Sequence, residues 1–264
     1  MNLGLSISNH SANYLKPKLN YLRYSSDNRL TNKKKNCSLS DRMKTLHSTW
    51  VTGRNGKSLK NAEAVINSPN LKTIVSDTSD LKNIAELAQK VSDGGKKIDV
   101  LFLNAGIASF APIEHATEAE FDAQFNTNVK GVYFTLQHLI PHIANGGSVV
   151  FTSSTNATAS ALGSSIYAAT KAALNKIAQF SANELADSNI RVNIISPGPT
   201  QTPGLENAVP AEAKEYLASL TAVQRLGKPE EIAKAILFVA SEQASFITGT
   251  EIIVDGGFTN FMLK

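Results

Sequence analysis

The sequence predicts an α/β protein built on a doubly wound parallel sheet, and three observations carry that expectation. From residue 48 onward, short β-branched runs alternate with helix-patterned stretches, as expected when helices cover both faces of a sheet. A length of 264 residues with 42% hydrophobic side chains suits one domain of ordinary size with a filled core. Asn104, Ser154 and Pro197 each follow a strand-like run. That is the edge at which open parallel sheets bind ligands.

Residues 1–47 stand apart from the domain expected at 48–264. They carry nine Lys or Arg against two Asp, a net of +7, which leaves −3 for the rest of a chain whose total is +4. Pro17, the triplet Lys33, Lys34 and Lys35, many Ser and Asn and few β-branched residues give this segment a composition close to disorder. A short run, Leu3–Ser8, could pair as a strand. The lysine triplet reads as solvated charge, so no nucleic-acid partner is expected.

Strands are then expected at Thr49–Thr52, Thr73–Ser76, Val100–Leu103, Ser148–Thr152, Arg191–Ile195 and Glu251–Val254. Helices fit between them at Ser58–Ile66, Leu81–Val91, Glu118–Ile143 with an interruption near Asn128, Ser165–Leu185 and Glu230–Ala240. Residues 196–228 make a long connection with four prolines and a helical insert, AEAKEYLASL. A loop of that length in a compact domain is usually a lid or a binding element.

Composition narrows the chemistry. The single Cys37 has no disulfide partner and suits a reducing, cytoplasmic setting. The five histidines lack metal spacing, so no metal is expected. No run of 18 apolar residues is present, so no membrane span is expected.

The most informative pair is Tyr167 and Lys171 in SSIYAATKAAL, with Ser154 thirteen positions upstream. On a helix, residues i and i+4 share a face, so the Lys171 ammonium can lie beside the Tyr167 phenol. A neighbouring cation lowers the phenol pKa from its usual value of about 10 and makes it usable in proton transfer. A second pair at that spacing, Tyr14 and Lys18, is broken by Pro17.

Reading outward from Tyr167, the ordered stretches are VTGRN, Asp77 in IVSDTSD, LNAG, Asn128 in NTNVKGVYF, SVVFTSS, YAATK, IRVNIISPGPTQT, GKPEEIAKAILFVAS and ITGTEIIVDGG. With these, residues 48–264 resemble the short-chain dehydrogenase/reductase family. The resemblance implies a Rossmann-like fold, a small carbonyl or secondary-alcohol substrate, and a dimer or tetramer formed through the long helices. It makes Tyr167 the acid–base residue and Lys171 its pKa-lowering partner, which also holds the nicotinamide ribose. Ser154 would donate to the substrate oxygen, and Asn128 would hold a water linking Lys171 to solvent. For the cofactor, Arg54 suits a 2′-phosphate, so NADP(H) is preferred and NAD(H) remains possible. Asp77 would contact the adenine, Asn104, Ala105 and Gly106 would line the nucleotide cleft, and Pro197, Gly198 and Thr202 would approach the nicotinamide. The 196–228 connection would close over the substrate.

The chain departs from its family at one place. Members open with a central strand and a TGxxxGxG turn whose amides hold the pyrophosphate; here only Gly4 precedes Gly53. The fold is therefore expected to lack or substitute its first β-α unit. Residues 1–47 could be an organelle-targeting peptide, the product of a misjoined coding segment, or the mark of a non-catalytic relative that keeps the fold for binding or assembly. Two functions follow, an oxidoreductase or a non-catalytic module of the same fold.

Overall fold

The computed structural model describes residues 20–24 and 48–260, with only the backbone for 20–24. Strands β1 (Asn20–Tyr24), β2 (Ser48–Gly53), β3 (Leu71–Val75), β4 (Ile98–Leu103), β5 (Ile143–Thr152), β6 (Arg191–Pro197) and β7 (Glu251–Val254) form one sheet in the order β3-β2-β1-β4-β5-β6-β7. Helices α1 (Gly56–Ile66), α2 (Leu81–Asp93), α3 (Glu118–Phe125), α4 (Val132–Leu139) and α5 (Ser165–Glu184) lie between strands, and α6 (Pro203–Ala208), α7 (Ala211–Ser219) and α8 (Pro229–Ala240) precede β7. The fold is the Rossmann-like one expected from the sequence. Among the described residues no helix is long and apolar enough to cross a membrane.

Strand alternation builds the two apolar layers. Leu101, Leu103, Val149 and Phe151 join one core with Leu87 of α2, Leu136 of α4 and Leu174 of α5. Their neighbours Phe102 and Val150 point the other way and pack with Ile195, Ile232 and Val239, the last two on α8. Successive strand residues face opposite sides, so a sheet covered by helices on both faces needs apolar residues at nearly every position.

The slot left open by the missing first unit is filled by β1. It pairs antiparallel with β2, Asn20 opposite Thr52 and Tyr24 opposite Ser48, and antiparallel with β4, Tyr21 opposite Phe102 and Arg23 opposite Val100. Every other neighbouring pair is parallel. Residues 20–24 fall in the segment expected to be disordered, and here the structure departs from that expectation. Unpaired backbone donors and acceptors on two inner strands are expensive enough to recruit a short run of modest propensity. Leu3–Ser8 lies outside the described residues. Because β1 runs backwards, its Asn20 end reaches the carboxyl edge of the sheet, where a parallel strand would begin its glycine-rich turn.

The helix expected over Glu118–Ile143 is divided. A π-helical segment, Asn126–Gly131, separates α3 from α4, and the chain enters β5 at Ile143. Gly131 faces the loop before α2 so closely that a Cβ would stand 1.9 Å from the Thr78 carbonyl oxygen. The 196–228 connection contains α6 and α7 and is tied to α8 by Arg225, whose two terminal nitrogens donate to the Glu231 carboxylate at 2.8 and 2.7 Å.

Proline has no N–H and is confined to edge strands and bulges, so Leu22→Pro tests the inner position of β1. We expect a loss of roughly 3 kcal/mol and a melting temperature lower by roughly 10 °C. Thermal denaturation followed by circular dichroism reads the shift; an unchanged transition would mean that β1 does not pair on both sides.

Candidate active site

The site is assembled at the carboxyl ends of β4 and β5, against the amino-terminal part of α5. Tyr167 and Lys171 stand one turn apart on α5, both buried, with the Lys171 Nζ 5.7 Å from the centre of the Tyr167 ring. The phenol hydrogen-bonds the Ser154 side chain. Lys171 Nζ donates to the Thr152 carbonyl at 2.9 Å. Ser153, the neighbouring hydroxyl, instead donates to the Lys171 carbonyl at 3.3 Å, a structural bond between β5 and α5. Ser154 also caps the short turn Thr155–Ala157 by accepting from the Asn156 N–H at 3.2 Å.

Burial dominates the electrostatics. It pushes the Tyr167 phenol up to about 12, against a smaller lowering by the Ser154 hydrogen bond. The same cause lowers Lys171 to about 8. The lowering of the phenol expected from Lys171 is therefore not what the protein alone provides. Its ammonium is engaged by Thr152, and removal of the pair from water outweighs their attraction.

Asn128 is completely buried in the π-helical segment, and three hydrogen bonds hold its side-chain amide. Its Oδ1 accepts from the Ile107 N–H at 2.7 Å, and its Nδ2 donates to the Ile107 carbonyl at 2.8 Å and to Thr170 Oγ1 at 3.0 Å. The side chain thus clamps the loop after β4. Gly106 sits between the two parts: a Cβ there would come within 3.4 Å of both Asn128 Oδ1 and Lys171 Nζ. Asn104 is buried and Ala105 half-buried beside it.

Pro197, Gly198 and Thr202 follow β6, the next strand along. Gly198 passes so near Asp255 that a Cβ would lie 2.6 Å from the Asp255 Cβ, and buried Thr202 caps α6 by accepting from the Leu205 N–H at 3.2 Å. Arg54 and Asp77 stand on the far side, after β2 and β3. At about 4.8 Å per strand, β2 is about 14 Å from β5. Asp77 Oδ1 accepts from the Ser79 N–H at 2.9 Å and the Ser79 hydroxyl at 2.8 Å, an Asx-type turn. The structure thus joins Asn128, Ser154, Tyr167 and Lys171 at one centre and leaves Arg54 and Asp77 at a separate edge.

A nicotinamide nucleoside fits the catalytic end. A Cβ at Gly106 would stand 3.4 Å from the Lys171 ammonium, so the glycine keeps the space beside it clear. The pyrophosphate has no comparable seat among the described residues. The nearest helix start, α1, already gives its Lys57 and Ser58 N–H groups to Asn55 Oδ1 at 2.9 and 3.2 Å. Residues missed by the sequence reading are Thr152, whose carbonyl holds Lys171, and Glu120 and Gln124, which precede Asn128 at four-residue intervals. That spacing was the available signal.

The lowered Lys171 pKa has a testable sign. The unfolded chain keeps this proton up to about 10.5 and the folded chain only to about 8, so stability is present above 10.5 and lost as pH falls through 8. Lys171→Met removes that term. The variant should gain on the wild type at pH 7 by up to roughly 3 kcal/mol, with the gap narrowing at pH 9.5. Urea unfolding at both values measures it, and a gap independent of pH would contradict the assignment.

Comparison with known proteins identifies the family. A family model described as enoyl-(acyl carrier protein) reductase matches residues 47–259. The chain is 40% identical over 185 residues to the 3-oxoacyl-[acyl-carrier-protein] reductase FabG of Thermotoga maritima, covering 69% of this chain and 75% of that protein. It is 35% identical over 186 residues to the cis-4-hydroxycyclohexanecarboxylate dehydrogenase of Sinomonas cyclohexanicum, covering 69% and 74%. A solved short-chain dehydrogenase/reductase from Brucella melitensis, titled a glucose/ribitol dehydrogenase, superposes with a TM-score of 0.76 at 30% identity, covering 81% of this chain and 86% of that one. This chain belongs to the short-chain dehydrogenase/reductase family of oxidoreductase enzymes.

Proposed function

We propose that the chain catalyses hydride transfer between a nicotinamide cofactor, NADP(H) in preference to NAD(H), and a small carbonyl compound or secondary alcohol. One observation carries this reading: the Tyr167 phenol is hydrogen-bonded to Ser154 and stands over buried Lys171 at the carboxyl edge of the sheet. The bound nicotinamide supplies or accepts the hydride. Lys171 would hold its ribose, Pro197, Gly198 and Thr202 its ring side, and Asn104, Ala105 and Gly106 the floor of the cleft. Arg54 at the edge would meet a 2′-phosphate and Asp77 the adenine.

Proton movement follows from the side chains present. At about 12 the phenol is neutral at physiological pH, so it is poised to donate to a carbonyl oxygen as charge develops there. Ser154 donates to the same oxygen and lowers the energy of that charge. In the opposite direction Tyr167 must first lose its proton, which the Lys171 ammonium favours once it turns from Thr152. Asn128 acts as a positioning residue by fixing the loop that carries Gly106. The two curated relatives named above reduce an oxoacyl group or oxidise a ring alcohol by name, which supports the carbonyl and secondary-alcohol class. Self-association through the long helices, where Phe121, Tyr133 and Phe180 stay exposed, and a cytoplasmic setting complete the reading.

The reversed β1 favours a second reading, a non-catalytic module that keeps the fold without the cofactor. Calorimetric titration of the full chain with NADPH separates the two: micromolar binding supports the enzyme and no binding supports the module.

Tyr167→Phe removes the transferred proton and leaves the ring. Ketone-dependent NADPH oxidation should fall at least about 100-fold, and unchanged turnover would rule the mechanism out. Arg54→Ala should weaken NADPH binding and leave NADH binding unaltered; equal losses for both would show that Arg54 does not meet a 2′-phosphate.

A further inference from the structure

Glu120, Gln124 and Asn128 follow one another at four-residue intervals along α3 and the π-helical segment, and all three hold the same loop. Asn128 grips both backbone groups of Ile107. Gln124, also buried, accepts from the Ser109 N–H and donates to the Ser109 carbonyl, each at 3.3 Å. Glu120 accepts from the Ser109 hydroxyl at 2.6 Å. Beyond Phe110 the loop is tied again, where the Ala111 N–H donates to the Gly163 carbonyl at 2.9 Å.

Phe110 is thus pinned on both sides, yet its side chain is not put away in the core. It remains 45% exposed. Its ring edge meets Tyr167 with centroids 5.9 Å apart and planes at 68°, so the phenyl and the phenol form a corner. Ile113 and Leu162, exposed at 79% and 101%, lie two residues and one residue from the Ala111–Gly163 bond. A rigidly held, half-exposed aromatic ring beside a reactive hydroxyl is what apolar recognition requires, because little conformational freedom is lost when a ligand covers it.

We propose that Phe110 is a specificity-determining wall, selecting substrates whose reacting carbon belongs to an apolar ring. An apolar ring can fill the corner between the two aromatic rings and remove apolar surface on both from water. A hydroxyl-rich ring of the same size would lose water there without gaining hydrogen bonds. The location, though not the wall itself, rests on the reading of Tyr167 as the residue that meets the substrate oxygen.

Cyclohexanol and myo-inositol share one ring and differ in hydroxyl number, which makes them suitable probes. Their binding to the full chain, measured by ligand-observed NMR titration, does not depend on turnover. Cyclohexanol should bind at least tenfold more tightly than myo-inositol. Phe110→Ala should weaken cyclohexanol binding at least fivefold, whereas Phe110→Leu should stay within twofold. Equal affinity for the two probes, or cyclohexanol binding unaltered in Phe110→Ala, would overturn the proposal. Binding in the expected pattern with no oxidation of cyclohexanol when NADP⁺ or NAD⁺ is supplied as the hydride acceptor would leave the wall in place and contradict the hydride-transfer reading. Oxidation without dependence on Phe110 would do the reverse.

Discussion

Between β2 and β4 there is room for one strand, and the backbone groups on the facing edges of both depend on its being there. In this chain the place is taken by Asn20–Tyr24, entered from the opposite direction to its neighbours. The sheet becomes continuous from β3 to β7. Without that strand, β3 and β2 would form a separate ribbon, and a two-stranded unit is marginal by itself. The edge that carries Arg54 and Asp77 is therefore joined to the catalytic edge through β1 within the sheet, and through Trp50 and α2 within the core.

The catalytic end depends on β1 much less. Tyr167, Lys171, Ser154 and Thr152 lie on β5 and α5, and Asn128 reaches them through the loop after β4. These elements share a core with β6 and α8 on the other side. The edge at Arg54 and Asp77 and the catalytic end are thus separated by the reversed strand and β4. Continuity of the sheet is restored by this substitution; the family's phosphate-binding turn is not.

Much of this was legible in the residues. Glu251–Val254 is found as expected, and the other expected strands agree within a few positions, because apolar runs in a doubly covered sheet leave a dense signal. The Tyr167–Lys171 spacing put both groups on one helix face; the Tyr14 and Lys18 pair lies outside the described residues. Three features were hidden for physical reasons. NYLRY has the propensity of an ordinary strand, and only the vacancy between β2 and β4, a tertiary fact, gives it a place. The clamp made by Asn128 was hidden because its motif does not reveal that Ile107 turns both backbone groups towards it. The phenol's upward shift depends on complete burial, which no local spacing reports.

Hydrogen exchange of the full chain, followed by mass spectrometry, addresses the reversed strand most directly. If β1 is an inner strand, amides of residues 20–24 will exchange as slowly as those of the flanking β2 and β4, since all three open together. Exchange of 20–24 at the rate of an unstructured peptide, with 98–103 still protected, would contradict the placement of β1 and the continuity built on it.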